Sequence, residues 1–505
     1  MSVTRKILAI LGAVLSAILL VGAAVGLALG WLNPIIPRFS SQQSASSVQE
    51  VAQLNSSLYC PTRMKLADTE NYGDADFQAS EGNLSSTSRI SAMGAVYQAD
   101  VADVAQTTTT SIIGDAHMAN DSVRTSTDDA GQSLVVQTRT LNAQKFTGAQ
   151  GTVVSWASEA DLRGISASSC VPFATTQSFI VPATSTGWSQ QMVVANSSEK
   201  SASISLTAHG TQSSDPLTFE THATATVAAH AEVTIDLSAA FNVNDAAYVT
   251  VESDSAPVAA IVQVVHMDGL TPQGSDYSNP LDSADTTQVI PALSDASSMD
   301  IAVYGTEDGS AQFVFLGDNG EITTQKVSYT AEKLSFTHVD NIPQGTQSVL
   351  VTSSSPVSAS AISSVSASDG QSDFAVTQAR SAGQSFAVNV PENVNNRVDI
   401  SNMSSDTQKV HIAAFSADGS VSGERDVEIN AHSVYTFAAT DISSNATVVQ
   451  ISQTDSSRAS LVVGESFTVN SVSDAQVAQR ASLATPAMDL TTTKYTVTRE
   501  KTILN

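Results

Sequence analysis

Aromatic, basic and sulfur-bearing side chains are all scarce in this chain, and each shortage excludes something. Only 5% of the 505 residues are Phe, Trp or Tyr, and only 14% are charged. A chain so poor in charge, and crowded with Ser, Thr, Ala, Val, Asp and Gln, has the profile of β-rich extracellular modules. Helical bundles would want more Leu, Glu and Lys. Basic residues number 22 against 49 acidic ones, a formal charge of −27. That field repels phosphate backbones and anionic headgroups, so nucleic acid is not an expected partner. Two cysteines in the whole chain leave no CxxC pair, and HExxH, GxSxG, P-loop, strand-borne GxGxxG and EF-hand patterns are missing too. No metal, cofactor or enzymatic activity is therefore expected. Acidic turns such as Asp128-Asp129 and Glu307-Asp308 carry hard oxygen ligands, but calcium needs six or more converging, and turn carboxylates usually face water.

What the chain does have begins at its N-terminus. After Arg5 and Lys6, the 26 residues from Ile7 to Leu32 carry no charge. About 20 such residues cross a bilayer as a helix, whereas the apolar part of a cleaved signal peptide usually spans about 7–15. The expectation is a retained transmembrane helix over 7–32 with residues 1–6 cytoplasmic, because basic residues stay inside. Everything beyond the stalk at 33–57 then lies outside the cell. Gly22, Gly26 and Gly30 share one helix face at a spacing that permits close helix pairing.

Outside the membrane the compartment is oxidising, and two lone cysteines there are most simply one disulfide, Cys60–Cys170. A metal site at either cysteine lacks a neighbouring ligand pair. A nucleophilic thiol would need a positioned base that the sequence does not display.

Beyond Leu58 the chain repeats at about a hundred residues. "YVTVESDSAPVAAIVQV", "SVLVTSSSPVSASAISS" and "VVQISQTDSSRASLVVG" each read as strand, polar hairpin and strand. Upstream, "QQMVVANSSEKSASISLTAHG", "SMDIAVYGTEDGSAQFVFLGDNG" and "RVDISNMSSDTQKVHIAAFSADG" match one another, and between lie "TVAAHAEVTIDL", "VSYTAEKLSFTHV" and "VEINAHSVYTFAA". "TVVSWASEADLRGISASSC" fits the closing strands of a divergent first unit. Alternating apolar and polar residues with turns every 8–12 positions mark half-buried antiparallel strands. The expected fold is all-β: tandem immunoglobulin- or fibronectin-like β-sandwiches at 58–175, 176–285, 286–380 and 381–470, after the single N-terminal helix. The tail at 471–505 is expected to add one docking strand. A β-propeller, with blades every 40–50 residues, is the alternative. Trp156 and Trp188 are expected in sandwich cores.

The pieces "LYCPTRMKLAD", "ADLRGISASSCVPFATTQSFIVPATSTG", "MVVANSSEKSASISL" and "VQVVHMDGLTPQGSDYSNP" followed by "QVIPAL" resemble an actinobacterial family of membrane-anchored, secreted-type proteins of unknown function. The Cys-Pro pair after the anchor and the Leu-Arg-Gly stretch before the second cysteine carry the likeness. Phe179-Ile180 and Pro182-Ala183 stand where that family often has an aromatic pair and a glycine pair. The resemblance implies a single-pass exported protein of the Gram-positive envelope and no particular activity. It also picks out the polar connection containing Asp268, Gly269, Thr271, Gln273, Asp276 and Tyr277, either a binding loop or a linker between the second and third units. The expected role is a non-enzymatic envelope scaffold or interaction module, with the bilayer and a cell-wall polymer or envelope protein as partners. A glycan-binding or adhesion module is the alternative.

Overall fold

The computed structural model describes residues 12–22, 25, 46–52, 54–67, 78–113, 123–142, 144–339, 341–454, 458–489 and 492–498. The chain divides into two compact units. One comprises residues 1–52 and 492–505. Within it residues 12–22 are helical, and the strand Ser46–Ala52 pairs antiparallel with Thr492–Thr498. Part of the segment expected to be a stalk is thus a strand, and the docking strand of the tail meets that segment. Among the described residues no helix is long and apolar enough to cross a membrane. Most of the expected span, with Gly26 and Gly30, lies outside the described residues; Gly22 is among the described helical ones.

The second unit, residues 53–491, is all-β, made of antiparallel sheets. In the second repeat the sheet Thr176–Pro182, Ala246–Ser253, Ala202–His209, Thr224–Val227 faces the sheet Ala231–Asp236, Trp188–Asn196, Ala259–Asp268, Thr271–Ser278. The alternation in "ASISLTAH" sends Ile204, Leu206 and Ala208 inward, where they join Phe179, Met192, Val249 and Val262 from both sheets. Burying a side chain of this size stabilises by about 1.5–3 kcal/mol. The fourth repeat has the same strand order, with Phe386, Ile400, Ile412 and Val463 inside.

The period of the sequence returns as a backbone feature. Ala130, His230, Glu332 and His432 all occupy the same left-handed turn, with φ of 55°, 51°, 57° and 48°. Ala130 is buried there, His230 and His432 are half-buried and Glu332 is exposed, so the turn is shared while its surroundings differ from repeat to repeat.

Two local expectations need correction. The polar stretch of "YVTVESDSAPVAAIVQV" is not a hairpin, because Ala246–Ser253 and Ala259–Asp268 lie in different sheets. In the third repeat the same stretch is one unbroken strand, Ser348–Ser366, which crosses between the two layers and merges them into a seven-stranded sheet. Each repeat then ends in a further strand, which the sequence pattern reveals only in the first. These are β1 (Gly164–Ser169), β2 (Thr271–Ser278), β3 (Ser372–Gln378) and β4 (Ala481–Thr485). Each pairs on one side only, with the preceding strand of its own repeat. On the other side β1 meets β2, β2 meets β3, β3 meets β4 and β4 meets β1, so the four repeats close around a ring of strands.

Candidate functional site: a carboxylate ring and two tryptophan grooves

Four edge strands facing one another in the interior present unpaired backbone groups, and buried N–H groups must find acceptors. Two aspartates supply them. Asp276 on β2 is fully buried; its Oδ1 accepts from the Ala167 amide of β1 at 3.1 Å and its Oδ2 from the Val376 amide of β3 at 2.8 Å. Asp373 on β3, equally buried, accepts from the Ile165 amide at 2.9 Å and the Arg480 amide at 2.7 Å through Oδ2, and from the Phe374 amide at 3.1 Å through Oδ1. Side-chain oxygens thus replace the ladder that these strands cannot form with each other.

Close approach of the strands is permitted by glycine. A Cβ at Gly164 or at Gly274 would lie 2.6 Å from an atom of the Asp373 carboxyl, and both positions have positive φ. Gln371 adds another tie, accepting from the Ala478 amide at 2.7 Å and donating to the Arg163 and Ala478 carbonyls. Arg480 runs outward from the ring, donating to Ser363 Oγ and the Ser294 carbonyl, each at 2.7 Å.

Burial pushes both aspartate carboxyls well above the usual carboxylate range; for Asp373 the neighbouring Asp276 adds to the rise, while backbone amides oppose it in both. Burial lowers the Arg480 guanidinium to about 10, which leaves it charged at neutral pH. Glu465, also buried, is raised by burial to about 8, against the pull of Thr485 Oγ1 at 3.0 Å and Asn396 Nδ2 at 2.9 Å. Shifted carboxyls often mark catalytic sites. Here the acceptor atoms of Asp276 and Asp373 are occupied by amides of the chain itself, and general acid–base work needs an atom within reach of substrate.

The residues singled out from sequence are placed as follows. Cys60 and Cys170 form the expected disulfide, tying the strand Asn55–Cys60 to the residue just past β1. The six residues from Asp268 to Tyr277 lie along one hairpin and not along a connection. Its tip, Asp268–Leu270, is exposed, while Asp276 and Tyr277 are fully buried in β2. Gln273 Nε2 donates to the Gly370 carbonyl at 3.1 Å, and Tyr277 donates to the Thr62 carbonyl at 2.8 Å. A strand that buries Pro, Gly, Ser and Asp looks like a loop until its partners are known. Among the described residues no cluster of three or more His, Cys, Asp or Glu could hold a metal ion.

Neither described tryptophan is a core residue. Trp188 is half-buried, stacked on His266 at 3.9 Å and 5°, and opens on a groove with Glu220, Ser238 and Asn242. Trp156, at the end of the strand Gly148–Ala157, packs at the rim of an apolar cluster that joins Val154 and Ile165 of the first repeat to Val394 and Val469 of the fourth. It opens on a groove of about 480 Å³ with Asn393, Asn395, Asn470 and Ser471.

A family model matches residues 123–440. The chain belongs to the family of unknown function DUF5719. The DUF5719 span includes Gly164, Gly274, Asp276 and Asp373, and hence three of the four ring strands. No curated protein matches the chain. Two solved structures align over most of it at low similarity. One is a tetra-tandem repeat in the extending region of a large adhesion protein, at 12% identity over 80% of this chain and 92% of that one, TM-score 0.10. The other is from infectious bursal disease virus Gx strain, at 10% identity over 88% and 87%, TM-score 0.10. Neither score is high enough to bear on fold or function.

Proposed function

We propose that this protein is a non-enzymatic, membrane-anchored extracellular protein of an actinobacterial cell envelope, built of immunoglobulin- or fibronectin-like sandwiches and acting as a scaffold or interaction module. The observation that carries the reading is the ring of β1 to β4. The carboxyls of Asp276 and Asp373, whose shifts would otherwise suggest chemistry, are used there to hold four repeats together. Anchoring rests on the uncharged run at 7–32 and the basic pair before it. A glycan-binding or adhesion role is the second reading, favoured by the two grooves that carry Trp156 and Trp188.

The test is fractionation of the full chain expressed in a Gram-positive host. The expected result is recovery with membranes, release by detergent only, and digestion of the β-rich part by protease added to intact cells. Recovery from the medium with residues 1–30 missing, or protection from external protease, would refute the anchoring and its orientation.

A further inference from the structure

The groove beside Trp156 has no charged lining residue, whereas the Trp188 groove carries Glu220. Its walls are Trp156 from the first repeat, and Asn393, Val394, Asn395, Val469, Asn470 and Ser471 from the fourth. The chain as a whole carries −27, so an uncharged groove with three amides is a local exception. Asn393, Asn395, Asn470 and Ser471 are exposed. One pair is fixed in place, with Asn395 Nδ2 donating to Asn470 Oδ1 at 2.8 Å. That bond leaves the Asn395 oxygen and the Asn470 amino group for a ligand. Asn393 holds a left-handed backbone, φ 61°, at the turn that sets the wall.

The tryptophan is available as well. Among the described residues no aromatic ring packs on Trp156 and no group accepts from its indole N–H, whereas one face of Trp188 is already covered by His266. Val154, Ile165, Val394 and Val469 hold Trp156 in place from below.

We propose that this groove binds a neutral saccharide, with Trp156 as the stacking platform and the amides of Asn393, Asn395 and Asn470 as partners for its hydroxyls. A pyranose ring offers a C–H face that packs on an indole and a rim of hydroxyls that each donate and accept, as a carboxamide does. A charged ligand would find no counter-ion there, and a polyanion would be repelled by the whole molecule. Because the groove spans the first and fourth repeats, the site exists only when the ring is closed. The inference rests on the reading of the protein as an interaction module and names its partner class.

The test uses the full chain in a detergent without a sugar headgroup, titrated with maltotetraose, cellotetraose and chitotetraose, followed by tryptophan fluorescence and calorimetry. At least one tetraose should bind saturably. Trp156→Ala and Asn395→Ala should each weaken it about tenfold or more, with Tyr97→Ala, at an exposed aromatic away from the groove, unchanged. Trp156→Phe keeps a smaller ring in the same contacts and should retain part of the affinity, which separates loss of stacking from loss of fold. No saturable binding of any tetraose, or binding unaltered in Trp156→Ala, overturns the proposal. A chain that fractionates with membranes yet binds none loses this inference alone; one that binds but is shed to the medium loses only the anchor.

Discussion

Gly164 and Asp373 occupy one another's space: a methyl group on Gly164 would lie 2.6 Å from the Asp373 carboxyl carbon. The glycine belongs to the Leu-Arg-Gly stretch of the first repeat and the aspartate to the last strand of the third, 209 positions apart in sequence (373 − 164). Gly164→Ala forces the carboxyl off the Ile165 amide and adds strain at φ 133°. The combined cost should be on the order of 3 kcal/mol. Denaturant unfolding of the parent and variant measures it, and equal midpoints would show that the two strands do not meet as described. Gly274→Ala, which faces the same carboxyl from β2, should behave alike.

A second expectation concerns pH. Burial raises Glu465 from its ordinary 4.5 to about 8. The folded value lies above the unfolded one, so the native state keeps a proton that the unfolded state has lost. The resulting stabilisation is whole below pH 4.5 and is lost as pH rises through about 8. Asp276, Asp373 and Asp399 shift in the same direction, each chiefly through burial, and steepen the same trend. Thermal midpoints should therefore fall between mildly acidic and mildly alkaline pH. Glu465→Gln keeps partners for Thr485 and Asn396 while removing the ionisation, and should flatten the profile in that window. A variant profile that overlays the parent would rule the carboxyl out as the source.

Third, the Cys60–Cys170 bridge closes a separation of 110 residues. Cys60→Ser with Cys170→Ser should cost on the order of 2–5 kcal/mol. Peptide mass mapping without reductant checks the pairing, and melting of the double variant checks the cost. Free thiols at both positions in mature protein would contradict the bridge outright.

Much of this architecture was legible in the sequence because its signals are local. Alternation in "ASISLTAH", a recurrent polar turn at 230, 332 and 432, and two isolated cysteines each report directly on strand, turn or bridge. The last strand was legible in the first repeat, where "TVVSWASEADLRGISASSC" reads as strand, turn and strand, but not in the other three. β2 is "TPQGSDYS", with Gly, Pro and Asp where a strand ordinarily has β-branched residues, and its burial depends on amides of other repeats that reach Asp276. The disulfide half of the expected site therefore stands, while the hairpin from Asp268 to Tyr277 is mostly interior. Trp156 and Trp188 were misplaced for a related reason. A lone tryptophan in a sandwich pattern usually belongs between the sheets, and only contacts between distant repeats carry Trp156 to a rim.

A tether made of independent beads lengthens one bead at a time when it is pulled. Here the closing strand of every repeat is walled in by those of its neighbours, and none can peel away without uncovering Asp276, Asp373 or both. Tension between residues 53 and 491 would thus meet one all-or-none yield in place of a sawtooth of small ones. Such a body answers load as one stiff block and not as a spring.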